Sequence, residues 1–171
     1  NTLTTIKNQF QTGTCWAFAA LSCTESNLIQ KGLENQNVQF SVPSLVLSTY
    51  ANGGFDESIW DCGGTWMDSS LAMAAHRGLC YDEYEPFVSD GTEATIVSEE
   101  KKGICEYQLN YASTITGGRN AIKNKIKELG GVMVSYYADD LYMTFDNKSY
   151  YDPETTKYSG INHAVSVVGW D

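Results

Sequence analysis

Lys7-Asn8-Gln9-Phe10-Gln11-Thr12-Gly13-Thr14-Cys15-Trp16-Ala17-Phe18 sets one cysteine between a Gly-Thr pair and an apolar run. Thr14 is a good helix N-cap. From position 15 to 31 the residues Trp16, Phe18, Ala19, Ala20, Leu21, Leu28 and Ile29 follow without a breaker, until Gly32 supplies a C-cap signal. The spacing predicts one helix. Its first half is apolar nearly all round, which puts it at the centre of the molecule, against more than one neighbour. Cys15 falls in the first turn, where the helix macrodipole favours a negative group such as a thiolate. Packing is the ordinary role of a free cysteine in such a place, so the rest of the chain must decide.

Composition narrows the choice. The 171 residues are 42% hydrophobic, enough for one core or two small lobes sharing an interface. No run of eighteen apolar residues occurs, so no membrane span is expected. The formal charge is -10 and the eleven Lys and Arg are scattered, which argues against a nucleic-acid surface. The five cysteines are an odd number, so at least one is unpaired in a monomer.

A second helix is expected over 67–77, stopping at Gly78, and a third over 120–129, with Ile122, Ile126 and Leu129 on one face before Gly130-Gly131. After Ile104 the texture turns to Tyr, Val and Thr, and 132–138 and 164–170 read as strands. The pattern is α+β: a mainly helical lobe over 1–105 and a β-rich lobe over 106–171. The stretch 89–103 reads as a surface excursion, and Asn147-Lys148-Ser149 is a glycosylation sequon.

The stretch 7–18 resembles the signature around the nucleophile of papain-like cysteine proteases, K-N-Q-G-x-C-G-S-C-W-A-F, which has a histidine some 130 to 150 residues downstream. His163 lies 148 residues after Cys15, in Asn162-His163-Ala164-Val165 followed by Val168-Gly169-Trp170, similar to the family's N-H-A-V-x-x-V-G-Y. Between them, Phe40-Ser41-Val42-Pro43-Ser44-Leu45 resembles L-S-E-Q-E-L, Gly63-Gly64 an N-G-G turn, and Tyr84-Glu85-Pro86-Phe87 a Y-P-Y. The resemblance covers nearly the whole chain.

That resemblance implies a two-lobe fold with a long central helix, an antiparallel β lobe and an active-site cleft between them. It implies Cys15 as nucleophile, His163 as its base and Gln9 as a donor to the tetrahedral oxyanion. Gly63 and Gly64 would receive the substrate backbone, while Trp66, Met67, Asn162 and Ala164 would line the substrate site. The substrate would be a polypeptide, and the compartment secreted, extracellular or lysosome-like. No cofactor is implied, and no metal: Cys62, Cys80 and Cys105 show no C-x-x-C pairing. His76, near the end of the second expected helix, reads as structural, and without a further histidine pair the endopeptidase branch fits better than the dipeptide-trimming one.

The departures are specific. Phe10 stands where the pattern has Gly, Thr12 where it has a disulfide cysteine, Thr14 where it has Ser, and Cys62 is one place off, so no disulfide is assigned. The family's Asn, in N-S-W-G some twenty residues after the histidine, has no counterpart before Asp171. The expectation is a divergent heavy-chain portion, with the Asn and the closing strands supplied by a separate light chain or C-terminal segment. A catalytically silent binding or surface-layer module, and a thiol acyltransferase or transpeptidase, are the alternatives.

Overall fold

The computed structural model describes residues 2–50, 78–83, 86–89, 94–95, 105–139, 150 and 160–171. Among them are three helices, α1 (Cys15–Gln30), α2 (Val42–Tyr50) and α3 (Arg119–Leu129). The strands are β1 (Leu79–Cys80), β2 (Val88–Ser89), β3 (Ala94–Thr95), β4 (Cys105–Tyr107), β5 (Val132–Tyr136) and β6 (His163–Val167).

The expected central helix forms as α1 and ends at Lys31, with Gly32 at φ 69°, a left-handed turn that glycine enters without steric cost. Thr14 occupies the N-cap position, but its side chain makes no capping bond. Its hydroxyl is instead shared with that of buried Thr12 at 2.6 Å. Trp16, Ala17, Ala19, Ala20, Leu21 and Leu28 of α1 are buried. They form one core with Val38, Phe40, Leu79 and Ala164, and with Val42, Leu45 and Val46 of α2. The apolar girdle read from the sequence thus meets a helix on one side and a sheet on another.

α2 is not among the helices expected from the sequence. Its start is nevertheless encoded: Ser41 Oγ accepts the Ser44 N–H at 3.0 Å, an N-cap bond, and Pro43 sits in the first turn where its missing N–H costs nothing. The third helix begins at Arg119, one residue before the expected start. It ends on Gly130 at φ 91°, where an added Cβ would lie 2.5 Å from Ser26 O on α1. Only a glycine lets α3 close onto the central helix so tightly.

β5 and β6 pair antiparallel, from Val132↔Val167 to Tyr136↔His163. Side chains alternate across the pair. Ala164 and Met133, on one face, belong to the α1 core, and Ser166 on that face hydrogen-bonds Cys23 of α1 through Oγ and Sγ at 3.1 Å. Both strands are shorter than expected at their far ends. Beyond Val167 the chain leaves the ladder, and the Trp170 ring takes the ammonium groups of Lys123 and Lys127 on α3 at 5.1 and 5.6 Å, a cation–π arrangement. Within the stretch expected as a surface excursion, Ser89 pairs with Ala94, next to Val88 with Thr95, as a β2–β3 ladder. β1 pairs with β4 through Leu79↔Tyr107 and Cys80↔Cys105.

One buried charge organises the start of the chain. Glu25, on α1, is fully buried and receives Lys7 Nζ at 2.5 Å, Thr4 Oγ1 at 3.0 Å and the Phe40 N–H at 2.8 Å. Burying a carboxylate is costly unless it is paired and hydrogen-bonded, and here three donors from two other segments meet that cost. The pair anchors 4–7, directly ahead of the signature stretch, to the central helix.

The expected helix at 67–77, His76 and the sequon lie outside the described residues. No helix among the described residues is long and apolar enough to cross a membrane.

Candidate active site

Cys15 is the first residue of α1, half-buried, and packs against the core. Its placement follows from the loop before it. Thr12 N–H and Thr12 Oγ1 both donate to Gln9 O, at 3.2 and 2.8 Å, and Gln9 Nε2 donates back to Thr12 O at 2.7 Å. This reciprocal clasp closes 9–12 into a tight turn that delivers the chain to the helix start. Thr12 therefore holds the turn locally, through Gln9 on one side and Thr14 on the other. The Ala17 and Phe18 N–H groups are taken by Thr14 O, at 2.9 and 3.2 Å, which leaves the Cys15 N–H as the backbone donor at the thiol.

The turn requires an unusual backbone. Phe10 has φ 51°, the one described non-glycine residue in the left-handed region, and its N–H is held by Asn8 Oδ1 at 2.8 Å. The resemblance puts a glycine at this position, and the angle explains why.

His163 is the first residue of β6, a strand that packs on α1. Burial holds its imidazole below the ordinary histidine range, because desolvation disfavours the charged ring. The preceding residue fixes where the strand begins. Asn162 Nδ2 donates to Ala138 O at 2.8 Å, Asn162 Oδ1 accepts the Ala138 N–H at 2.6 Å, and Asn162 N donates to Tyr136 O at 3.2 Å. The side chain expected at the substrate site is thus engaged with the backbone beyond β5, extending the ladder by one side-chain rung.

Tyr136 flanks the imidazole. It lies opposite His163 in the ladder with ring centroids 5.6 Å apart, and its hydroxyl is held above the ordinary phenol range, first by burial and then by the charge of Cys15. Cys15 and His163 thus open two elements that pack together, with the Tyr136 ring against the imidazole. The thiol and imidazole share no hydrogen bond among the described residues; such contacts are often long before substrate binds. The sequence gives no local sign of Tyr136, whose position follows only from strand register. Ala164 is buried in the core. Gly63, Gly64, Trp66 and Met67 lie outside the described residues.

Cys23, bonded to Ser166, is pushed up to about 11, burial outweighing that hydrogen bond. No group of three or more His, Cys, Asp or Glu among the described residues could hold a metal ion.

The sequence profile of the papain family cysteine proteases matches residues 1–171. Cathepsin K of Mus musculus is 27% identical over 169 residues, covering 98% of this chain and 48% of the mouse protein. Gamete and mating-type specific protein A of Dictyostelium discoideum is 28% identical over 171 residues, covering 98% of this chain and 35% of that protein. The chain therefore spans half or less of the length of these relatives. The cysteine protease and lectin-like domains of a surface layer associated protein of Clostridium difficile superpose with a TM-score of 0.71 at 25% identity, over 99% of this chain and 37% of that one. Digestive procathepsin L2 of Tenebrio molitor gives 0.62 at 25% identity, over 98% of this chain and 50% of that one. The α+β arrangement is the papain-like fold, and a thiol opening the central helix with a histidine opening the strand beside it is in keeping with that match: the chain belongs to the papain family of cysteine proteases.

Proposed function

We propose that the protein is a cysteine endopeptidase in which Cys15 and His163 form the reacting pair across two lobes, divided near residue 105. The observation that carries this reading is that each residue opens its element where α1 and β6 pack, within a chain matched to the family over its whole length.

The chemistry follows from the groups present. The Cys15 thiolate attacks the substrate carbonyl carbon, and the negative oxygen so formed is received by the Cys15 backbone N–H and by Gln9. A primary amide carries two N–H donors. One Gln9 N–H grips Thr12 O, which fixes the amide plane and leaves the other for the oxyanion. The His163 imidazolium protonates the departing amine as the C–N bond breaks. Water then attacks the acyl-enzyme, His163 takes its proton, and the carboxylic acid leaves with the thiolate restored. Gly63, Gly64, Trp66, Met67 and Ala164 remain the assigned substrate contacts, joined by the backbone around Asn162.

The family's imidazole-orienting Asn comes, in this reading, from polypeptide outside these residues, either a separate light chain or a continuous segment. Relatives that include cathepsins and a surface layer associated protein support a secreted or lysosome-like location.

Cleavage of a peptide library, read by mass spectrometry, tests the proposal. The intact protein is expected to cut internal bonds, and Cys15→Ala to lower the rate by at least about a thousandfold. A variant as active as the parent would remove Cys15 from the mechanism.

A further inference from the structure

The β5–β6 register places Tyr136 directly across from His163. Residues opposed in an antiparallel ladder send their side chains to one face, close enough to touch. These two meet edge to face, with centroids 5.6 Å apart and ring planes at 63°.

Tyr136 is itself held. The ring of Tyr150 packs against it at 5.2 Å and 69°, and the Tyr150 hydroxyl donates to Tyr137 O at 2.7 Å, tethering the bracing ring to the next residue of the chain. On the His163 side the Asn162 clamp on Ala138 pins the backbone that carries the imidazole. The Tyr136–His163 contact is therefore made between two anchored partners.

A histidine ring turns about a broad χ2 well unless a neighbour fixes its plane. Proton transfer to and from a thiol depends on that plane, and small misplacements of a reacting group are costly in rate. We propose that Tyr136 is a positioning residue for the Cys15–His163 pair: its ring, clasped by Tyr150, sets the plane of the His163 imidazole. The ring does this and the hydroxyl does not, since the two rings meet edge to face and no hydrogen bond joins the Tyr136 hydroxyl to the imidazole. The proposal rests on the peptidase reading above.

The test compares Tyr136→Leu and Tyr136→Phe in the intact protein, measuring kcat and KM on one peptide substrate. A proton NOE experiment on the wild type accompanies it. Tyr136→Leu is expected to lower kcat by about tenfold to a hundredfold with KM within about twofold, since alignment and not substrate binding is lost. Tyr136→Phe is expected to recover most of that loss. The wild type is expected to show NOEs between the Tyr136 and His163 ring protons. A Leu variant with parental kcat, or a Phe variant as slow as Leu, overturns the proposal. Absence of the NOEs does so too, and that measurement needs no variant to fold. An inactive wild type that shows the NOEs strikes the peptidase reading itself, an outcome distinct from these.

Discussion

Phe10 holds a backbone angle that the family pattern gives to glycine. A non-glycine residue in the left-handed region costs about 1–2 kcal/mol, and glycine returns roughly 0.5–1 kcal/mol of that as unfolded-state entropy. Phe10→Gly is therefore expected to raise stability by about 0.5–1 kcal/mol in urea unfolding. A loss would show that the half-exposed ring contributes more than the angle costs. Gln9→Ala removes one oxyanion donor and is expected to lower kcat by about a hundredfold to a thousandfold. It also removes the Nε2 donor to Thr12 O while the Thr12 Oγ1 bond to Gln9 O remains, so an unchanged Tm beside the fall in kcat separates the two effects. Cys23 is expected to stay unlabelled by iodoacetamide at neutral pH while Cys15 reacts, because burial keeps the Cys23 thiol protonated. Peptide mapping of the adducts reads this directly. At this scale the roles proposed for Cys15, His163 and Gln9 come from motifs with fixed spacing. Tyr136 and Glu25 were not legible: one depends on strand register, the other on three donors that converge from residues 4, 7 and 40 only after folding.

Elements were legible where a period ran long enough. The apolar run after Cys15 and the face of Ile122, Ile126 and Leu129 announced α1 and α3 with boundaries accurate to one residue. α2 escaped because its nine residues follow Ser41 so closely that Pro43 reads as a breaker, whereas in a first turn it is a helix starter. The ends of β5 and β6 were overdrawn because Tyr137, Ala138 and Val168 have strand composition, but the Asn162 clamp and the Trp170 contact with α3 occupy the flanking backbone and side chain. Gly130 marks the closest approach of α3 to α1. Gly130→Ala is expected to destabilise by at least about 2 kcal/mol, because the added Cβ meets Ser26 O and the angle is itself unfavourable to an L side chain. A fall in Tm without change in active-site labelling per folded molecule would check this.

At the scale of the molecule, one helix serves two purposes. α1 buries its apolar girdle between α2 and the β5–β6 sheet, and the same packing sets the helix that Cys15 opens against the strand that His163 opens. Glu25 ties the opening segment to that helix. Glu25→Ala leaves the Lys7 ammonium and the Phe40 N–H without their acceptor and is expected to cost about 3–5 kcal/mol, measured by chemical unfolding. The acid–base balance of the site gives a further check. In Cys15→Ala, burial alone acts on His163 and holds its imidazole below the ordinary 6.5. The unfolded chain then binds the extra proton, so this contribution to stability is present above about pH 6.5 and is lost as the pH falls toward the lowered value in the folded state. An imidazole in the variant titrating above 6.5 by NMR would contradict that sign.

The partnership of thiol and imidazole is tested most directly by the rate at which an epoxide thiol trap labels Cys15 in the intact protein at mildly acidic pH, with and without His163→Ala. Fast stoichiometric labelling of Cys15 that collapses to the rate of an ordinary thiol in the variant is the predicted result. Equal rates in the two proteins would mean that the histidine does not activate the cysteine.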